Sequence, residues 1–194
     1  MRSRRYGLTT QIVIAGTGGQ GILFAARLLQ QAAVDAGFDI IGSETHGMAQ
    51  RGGSVVAHLK IGNAKSPLVR HGCADILYCL HPDETVTNLP FLKSGGVCFT
   101  NGSDRIIPEN IAKTLTQKKI LLYTMDADRI AASIGNPLSA NLVLIGFSMN
   151  ANLLPFSLEH LRSAVGRAGQ ERFREGNLAA IESGLAAWNF SRRL

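Results

Sequence analysis

Short apolar runs alternate with helix-patterned stretches along the first two thirds of the chain. Residues 11–15 are apolar and partly β-branched, and they end at a glycine cluster, the pattern of a buried central strand. Ile22, Leu23, Ala26, Leu29 and Ala33 then fall on one side at helical spacing, with Gly37 as a C-terminal stop. Residues 38–41, 54–61, 75–80, 96–100 and 119–123 predict five further strands. Residues 43–53 are polar and glycine-rich, and so predict a loop. Pro82, Asp83 and Glu84 open a helix, because proline and acids suit a first turn.

Beyond residue 123 the pattern is mostly helical. One helix starts at Asp126. Residues 138–150 form another, rich in Leu, Val, Ile and Ala and therefore buried. Past Pro155, two more helical stretches cover residues 157–169 and 171–188. No linker or internal repeat divides the chain. The expectation is α/β: one three-layer, Rossmann-like domain over residues 11–190, with a mostly parallel sheet, a helical C-terminal portion, and basic tails at 1–10 and 191–194. Residues 54–80 contain no crossover helix, which predicts a mixed sheet with an antiparallel member.

Composition narrows the class. Of 194 residues, 45% are hydrophobic and 18% charged, which excludes a disordered chain. No apolar run approaches the roughly 18 residues of a membrane span. The first residues are basic, but Tyr6 to Thr10 is no signal-peptide core, and three scattered cysteines make no disulfide framework. A cytoplasmic protein is expected. The net charge of +6 suggests nucleic acid at first sight. However, Arg2, Arg4, Arg5, Arg192 and Arg193 put much of it at the two ends, and only 6% of residues are aromatic. Solvated basic ends are expected rather than a nucleic-acid face.

Gly16, Thr17, Gly18, Gly19, Gln20 and Gly21 match G-x-G-x-x-G between the first strand and the first helix. Such a loop brings backbone close to a phosphate at a helix N-terminus. The motif alone is weak. An acid about 20 residues on should hold a ribose, but Asp39 falls inside the predicted second strand and Glu44 just past it, so NAD is not favoured. The loop reads either as an anion site or as a device for tight strand–helix packing.

Residues 43–54 gather Glu44, His46, Gln50 and Arg51 among Gly47, Gly52 and Gly53, directly after a strand. Both this loop and the glycine loop should emerge at the carboxyl ends of strands, where open α/β sheets bind ligands. Arg51 suits a phosphate or carboxylate through two parallel hydrogen bonds, and His46 suits proton transfer. A ligand or subunit contact is expected ahead of a local Arg51–Glu44 pair. His58, His71 and His81 show no metal spacing and are read as structural. Cys79 and Cys98 fall on buried strands, and nothing marks Cys73 as reactive. The sequence has no C-x-x-C cluster and no G-x-S-x-G elbow.

Three stretches together resemble a known family. They are Gly16 to Gly21, Glu44 to Ser54, and Gly135-Asn136-Pro137 through Asn141 to Gly146. They are similar to the gamma-type domain of 2-oxoacid:ferredoxin oxidoreductases. The His-Gly-Met-Ala-Gln-Arg-Gly-Gly form at 46–53 resembles the beta (small) subunit of the indolepyruvate branch. The resemblance covers roughly Gln11 to Ala187. It implies an enzyme that decarboxylates a 2-oxo acid on thiamine diphosphate and magnesium, passes electrons through four-iron–four-sulfur clusters to ferredoxin, and transfers the acyl group to coenzyme A. In indolepyruvate enzymes the large subunit carries the thiamine diphosphate and the clusters. This chain lacks cluster cysteines and a Gly-Asp-Gly motif with a downstream Asn-Asn pair. The expectation is therefore a non-redox subunit without catalytic or metal-ligating residues of its own. Gly16 to Gly21 would form the cofactor-binding loop. Glu44, His46, Gln50, Arg51, Gly52, Gly53 and Asn141 would be the ligand or subunit contacts. Two other readings stay open: a stand-alone NAD or FAD enzyme, and an adenylating enzyme with a similar glycine loop.

Overall fold

Along β1 (Thr10–Thr17), buried side chains alternate between two apolar clusters: Ile12 and Ile14 enter one, Val13 the other. β4 (Ala74–Cys79) repeats this, with Ile76 and Tyr78 opposed to Leu77 and Cys79. In β5 (Leu92–Asn101), Val97 and Phe99 are opposed to Cys98. A continuous apolar run behaves this way when its strand is covered on both faces. The computed structural model describes residues 9–46, 53–102, 108–190 and 192–193. Its sheet is completed by β2 (Ile40–His46), β3 (Ser54–Ile61), β6 (Leu121–Met125) and a two-residue β7 (Arg192–Arg193), in the order β2-β3-β1-β4-β5-β6-β7.

β1, β4, β5 and β6 pair in parallel, whereas β3 lies antiparallel between β2 and β1. The sheet is thus mixed and mostly parallel, as the missing crossover helix predicts. On the larger cluster's face lie α1 (Ile22–Asp35), α4 (Ala127–Ser133), α5 (Ala140–Ser148), α6 (Leu158–Ala168) and α7 (Arg174–Ala186). The other face carries α2 (Pro82–Asn88) and α3 (Glu109–Gln117), whose Leu115 enters the smaller cluster.

α5 is buried from Asn141 to Ser148, and it meets α7 backbone to backbone. A Cβ added at Gly146 would stand 2.1 Å from the Ile181 carbonyl oxygen, and one at Gly184 would stand 1.9 Å from that of Val143. This close approach accounts for two mid-helix glycines that each cost about 1 kcal/mol in helix propensity. Beneath them, Tyr78 and Phe99 stack at 5.5 Å, as do Phe99 and Tyr123, and Trp188 leans on Tyr123. The buried Tyr78 hydroxyl is satisfied by Ser148 Oγ at 2.7 Å.

Three expectations need correcting. The second strand does not end at 41: residues 43–46, expected in a loop, pair with His58 to Val55 of β3. Their polarity reflects an edge strand, where backbone pairing outweighs the lack of apolar side chains. α3 lies on a stretch to which no helix was assigned. At the chain's end, Arg192 and Arg193 pair antiparallel with Thr124 and Tyr123 rather than trailing free.

Candidate functional site at the carboxyl edge of the sheet

The glycine loop leaves β1 at Thr17 and enters α1 through Gly21, whose φ of 72° is left-handed. Gln20 closes the turn from within. Its Oε1 accepts from the Thr17 N–H at 2.8 Å, and its Nε2 donates to the Leu80 carbonyl at 3.0 Å. Glycine at 16 leaves room for this turn, because a Cβ there would stand 2.7 Å from Gln20 Oε1 and 3.1 Å from Leu80 Cβ. Gly21 answers to Asn141, the buried residue in the first turn of α5. The Asn141 Nδ2 donates to the Gly21 carbonyl at 3.0 Å, and a Cβ on Gly21 would lie 2.4 Å from that nitrogen. Asn141 Oδ1 accepts from the Leu142 N–H at 2.8 Å. Gln20 and Asn141, read from the sequence as cofactor and contact residues, thus both spend their amides on shaping the loop.

Gly19 differs from its neighbours. Its φ is 97°, and a Cβ there would meet nothing within 4 Å. Gly21 caps α1 with no side-chain hydrogen bond, and the first turn carries no acid. The first N–H groups of α1 are therefore presented without a carboxylate in front of them, the arrangement that suits an anion. The donor set is narrower than the motif suggests, since the Gly18 N–H already donates to the Gly53 carbonyl at 3.0 Å.

That bond joins the glycine loop to the polar loop. Thr17 at the end of β1 pairs with Ser54 at the start of β3, and His46 ends β2 opposite Val55. β1 and β2 run in the same direction, so both loops leave the same sheet edge. Ser54 is held in turn by α2, its Oγ donating to Glu84 Oε2 at 2.8 Å, while Asn88 Nδ2 donates to the same oxygen at 3.0 Å. Glu44 is exposed on β2. Gln50, Arg51 and Gly52, with Gly47 to Ala49, lie outside the described residues, as does the side chain of His46.

A second polar network at this edge escaped the sequence reading. Asn101, only 2% exposed at the end of β5, donates through Nδ2 to the Leu80 carbonyl at 3.1 Å and to Asp128 Oδ2 at 2.9 Å. Its Oδ1 accepts from the Ala127 N–H at 2.9 Å. The Leu80 carbonyl therefore receives both Gln20 and Asn101, tying the glycine loop to the ends of β4 and β5 and to the start of α4. The signal was available: an asparagine closing an apolar strand, followed by an Asp-Ala-Asp helix start.

The remaining candidates are structural. His58 is buried in β3 against Phe91, ring centroids 5.3 Å apart, and its Nδ1 has no partner among the described residues. Burial first, then the Lys60 charge, holds its pKa below the usual histidine value. His81 caps α2, its Nδ1 accepting from the Asp83 N–H. Burial and the neighbouring Cys79 push the Cys98 thiol well above its ordinary range, so it stays protonated. Among the described residues, no three His, Cys, Asp or Glu side chains group as metal ligands. No helix there is long and apolar enough to cross a membrane.

Residues 11–187 match the family model for pyruvate ferredoxin/flavodoxin oxidoreductase. The chain belongs to that family. It is a subunit-type chain of 2-oxoacid:ferredoxin oxidoreductases. It is 33% identical over 186 residues to the indolepyruvate oxidoreductase subunit IorB of Archaeoglobus fulgidus, covering 89% of this chain and 92% of that one. Its fold is similar to the gamma subunit of a keto/oxoacid ferredoxin oxidoreductase from Geobacter sulfurreducens, with a TM-score of 0.74, 24% identity, and 93% and 99% of the two chains covered. It is also similar, with a TM-score of 0.75 and 20% identity, to part of a 2-oxoglutarate:ferredoxin oxidoreductase from Magnetococcus marinus. There it covers 95% of this chain and 32% of the other.

Proposed function

We propose that this chain is the non-redox small subunit of a thiamine-diphosphate-dependent indolepyruvate:ferredoxin oxidoreductase, which converts the 2-oxo acid to its acyl-CoA in the cytoplasm. The observation that carries this reading is the one-third identity to the indolepyruvate subunit over about nine tenths of both chains. In this reading the large subunit holds thiamine diphosphate, magnesium and the iron–sulfur clusters, and ferredoxin takes the electrons from it. Thiamine diphosphate, when bound there, supplies the carbanion stabilisation that decarboxylation of a 2-oxo acid requires.

The chain's own residues complete the assembly. The open backbone at Gly19 and the uncapped first turn of α1 hold a phosphate of coenzyme A, the phosphate-rich substrate of the reaction. Arg51 acts at the subunit boundary, its planar fork suited to a carboxylate or phosphate. It does no proton chemistry, because its pKa is too high. Co-expression with the large subunit tests this reading. The purified pair should reduce ferredoxin with indolepyruvate and coenzyme A, and should turn over pyruvate and 2-oxoglutarate more slowly.

A further inference from the structure

β2 ends the sheet. Its seven residues pair with β3 on one side, and among the described residues no strand lies on the other. Such an edge is a template for another strand, and proteins commonly blunt it with lysine, proline or a bulge. β2 uses none of these. It contains no proline, lysine or arginine, and its register with β3 runs unshifted from Ile40 to His46.

Two backbone bonds fix which groups β2 turns outward. The Gly62 N–H donates to the Asp39 carbonyl at 2.7 Å, in the register that pairs Ile41 with Lys60 and Ser43 with His58. On the other side of β3, the Gly18 N–H donates to the Gly53 carbonyl, in the register that pairs Gly16 with Val55. Hydrogen-bonded pairs alternate along an antiparallel ladder. Ile41, Ser43 and Thr45 therefore bond inward to β3, whereas Ile40, Gly42, Glu44 and His46 turn their N–H and carbonyl groups outward. Side chains alternate too, so Gly42 and Glu44 share one face of the strand. That face is the one toward α1, since a Cβ on Gly42 would stand 2.6 Å from Gln30 Nε2 and 2.8 Å from Leu59 Cδ2. An exposed glycine thus lies under an amide donor, and an exposed carboxylate follows two residues later.

We propose that β2 pairs antiparallel with β2 of a second copy of this chain, across a two-fold axis at Ser43, so that two sheets become one. This register sets Gly42 opposite Glu44 of the second copy, and Ile40 opposite His46 of the second copy. All four outward residues take part, with about eight backbone hydrogen bonds, two for each facing pair. The incoming Glu44 meets no side chain on Gly42, and its carboxylate reaches the Gln30 amide there. The two-fold repeats the contact. This donor and acceptor select the occupant, because a two-fold copy exchanges them and gives each its complement. Neighbouring registers are poorer. An axis at Gly42 sets Glu44 against Ile40 and loses a pair, and an axis at Glu44 sets two carboxylates face to face. The pairing does not depend on the proposed reaction.

The test measures the mass of the purified full chain by sedimentation, and its amide hydrogen exchange at high and low concentration. The chain should be dimeric. Dilution should speed exchange about tenfold or more at Ile40, Gly42, Glu44 and His46, and leave Ile41, Ser43 and Thr45 slow. Glu44→Pro removes an outward N–H and no bond to β3, so it should give a folded monomer with those three amides still slow. Gln30→Glu should weaken dimerisation several-fold, by setting a carboxylate against Glu44 of the second copy. Adding Glu44→Gln should restore it, since donor and acceptor are then exchanged. A chain that stays monomeric at the higher concentration overturns the proposal. So does a dimer whose outward amides exchange no more slowly than in the dilute chain, or one that Glu44→Pro and Gln30→Glu both leave intact. A monomeric chain whose binding to the large subunit is weakened by Glu44→Pro assigns the edge to a strand of that partner instead.

Discussion

The side-chain amide of Asn141 crosses 120 residues of sequence to bond the carbonyl of Gly21 at 3.0 Å, so the buried helix α5 sets the entry of the glycine loop into α1. Both residues are constrained by this contact. Asn141 must donate, and Gly21 must lack a side chain.

Asn141→Ala should destabilise the chain by about 1–3 kcal/mol, because it removes one of the two donors to the Gly21 carbonyl, the Ala25 N–H being the other, and leaves the Leu142 N–H without its partner in a buried site. Gly21→Ala should cost more, since it combines a clash at 2.4 Å with a positive φ. In the double variant the clash disappears but the backbone strain remains. The two losses should therefore sum to less than their separate values, read from urea midpoints of all four chains.

Stability should fall in mild acid through His58. Its folded pKa lies below the ordinary value of 6.5 because the ring is buried. The unfolded chain takes up a proton near pH 6.5 that the folded chain refuses, so this contribution is full above that pH. It is lost as the pH falls from there toward the depressed folded value. His58→Phe should flatten the difference between urea midpoints at pH 7.5 and 5.5. An undiminished difference would assign the pH dependence to other groups.

In the complex, Gly18→Val should raise the Michaelis constant for coenzyme A, placing a β-branched side chain where a phosphate approaches the backbone. The Gly18 N–H also joins the two loops, so the variant's folding has to be checked by its melting temperature. A folded, assembled complex with an unchanged constant would make the glycine loop purely structural.

Arg51→Ala should leave the free chain as stable as before and weaken the complex or its turnover, by roughly 2–5 kcal/mol if the contact is desolvated. Arg51→Lys should restore only part, because a point charge cannot form two parallel hydrogen bonds. A lower melting temperature with normal assembly would instead indicate a local pair with Glu44, worth about 0–1 kcal/mol when exposed.

The architecture was legible where a residue's neighbours in sequence are also its physical cause. The apolar run before Gly16 and the Pro82-Asp83-Glu84 helix start lie where their patterns predict. Residues 43–46 were misread because their strand state comes from pairing with β3, which local polarity does not reveal. At the site, the spacing of Gly16 to Gly21 exposed a strand–loop–helix unit. It did not reveal that Gln20 and Asn141 are bonded inward, because each choice depends on a carbonyl far along the chain, at Leu80 and Gly21. Asn101 was missed for the same reason, since its partners lie at Leu80, just past β4, and at the start of α4, both far along the chain.

The most direct test of the central claim is anaerobic ferredoxin reduction with indolepyruvate and coenzyme A, measured for this chain alone, for the large subunit alone, and for the two together. The account predicts a colourless, inactive small chain and full acyl-CoA formation only in the pair. Stoichiometric iron and sulfide in this chain, ferredoxin reduction by it unaided, or a stable pair that turns over no 2-oxo acid would contradict it.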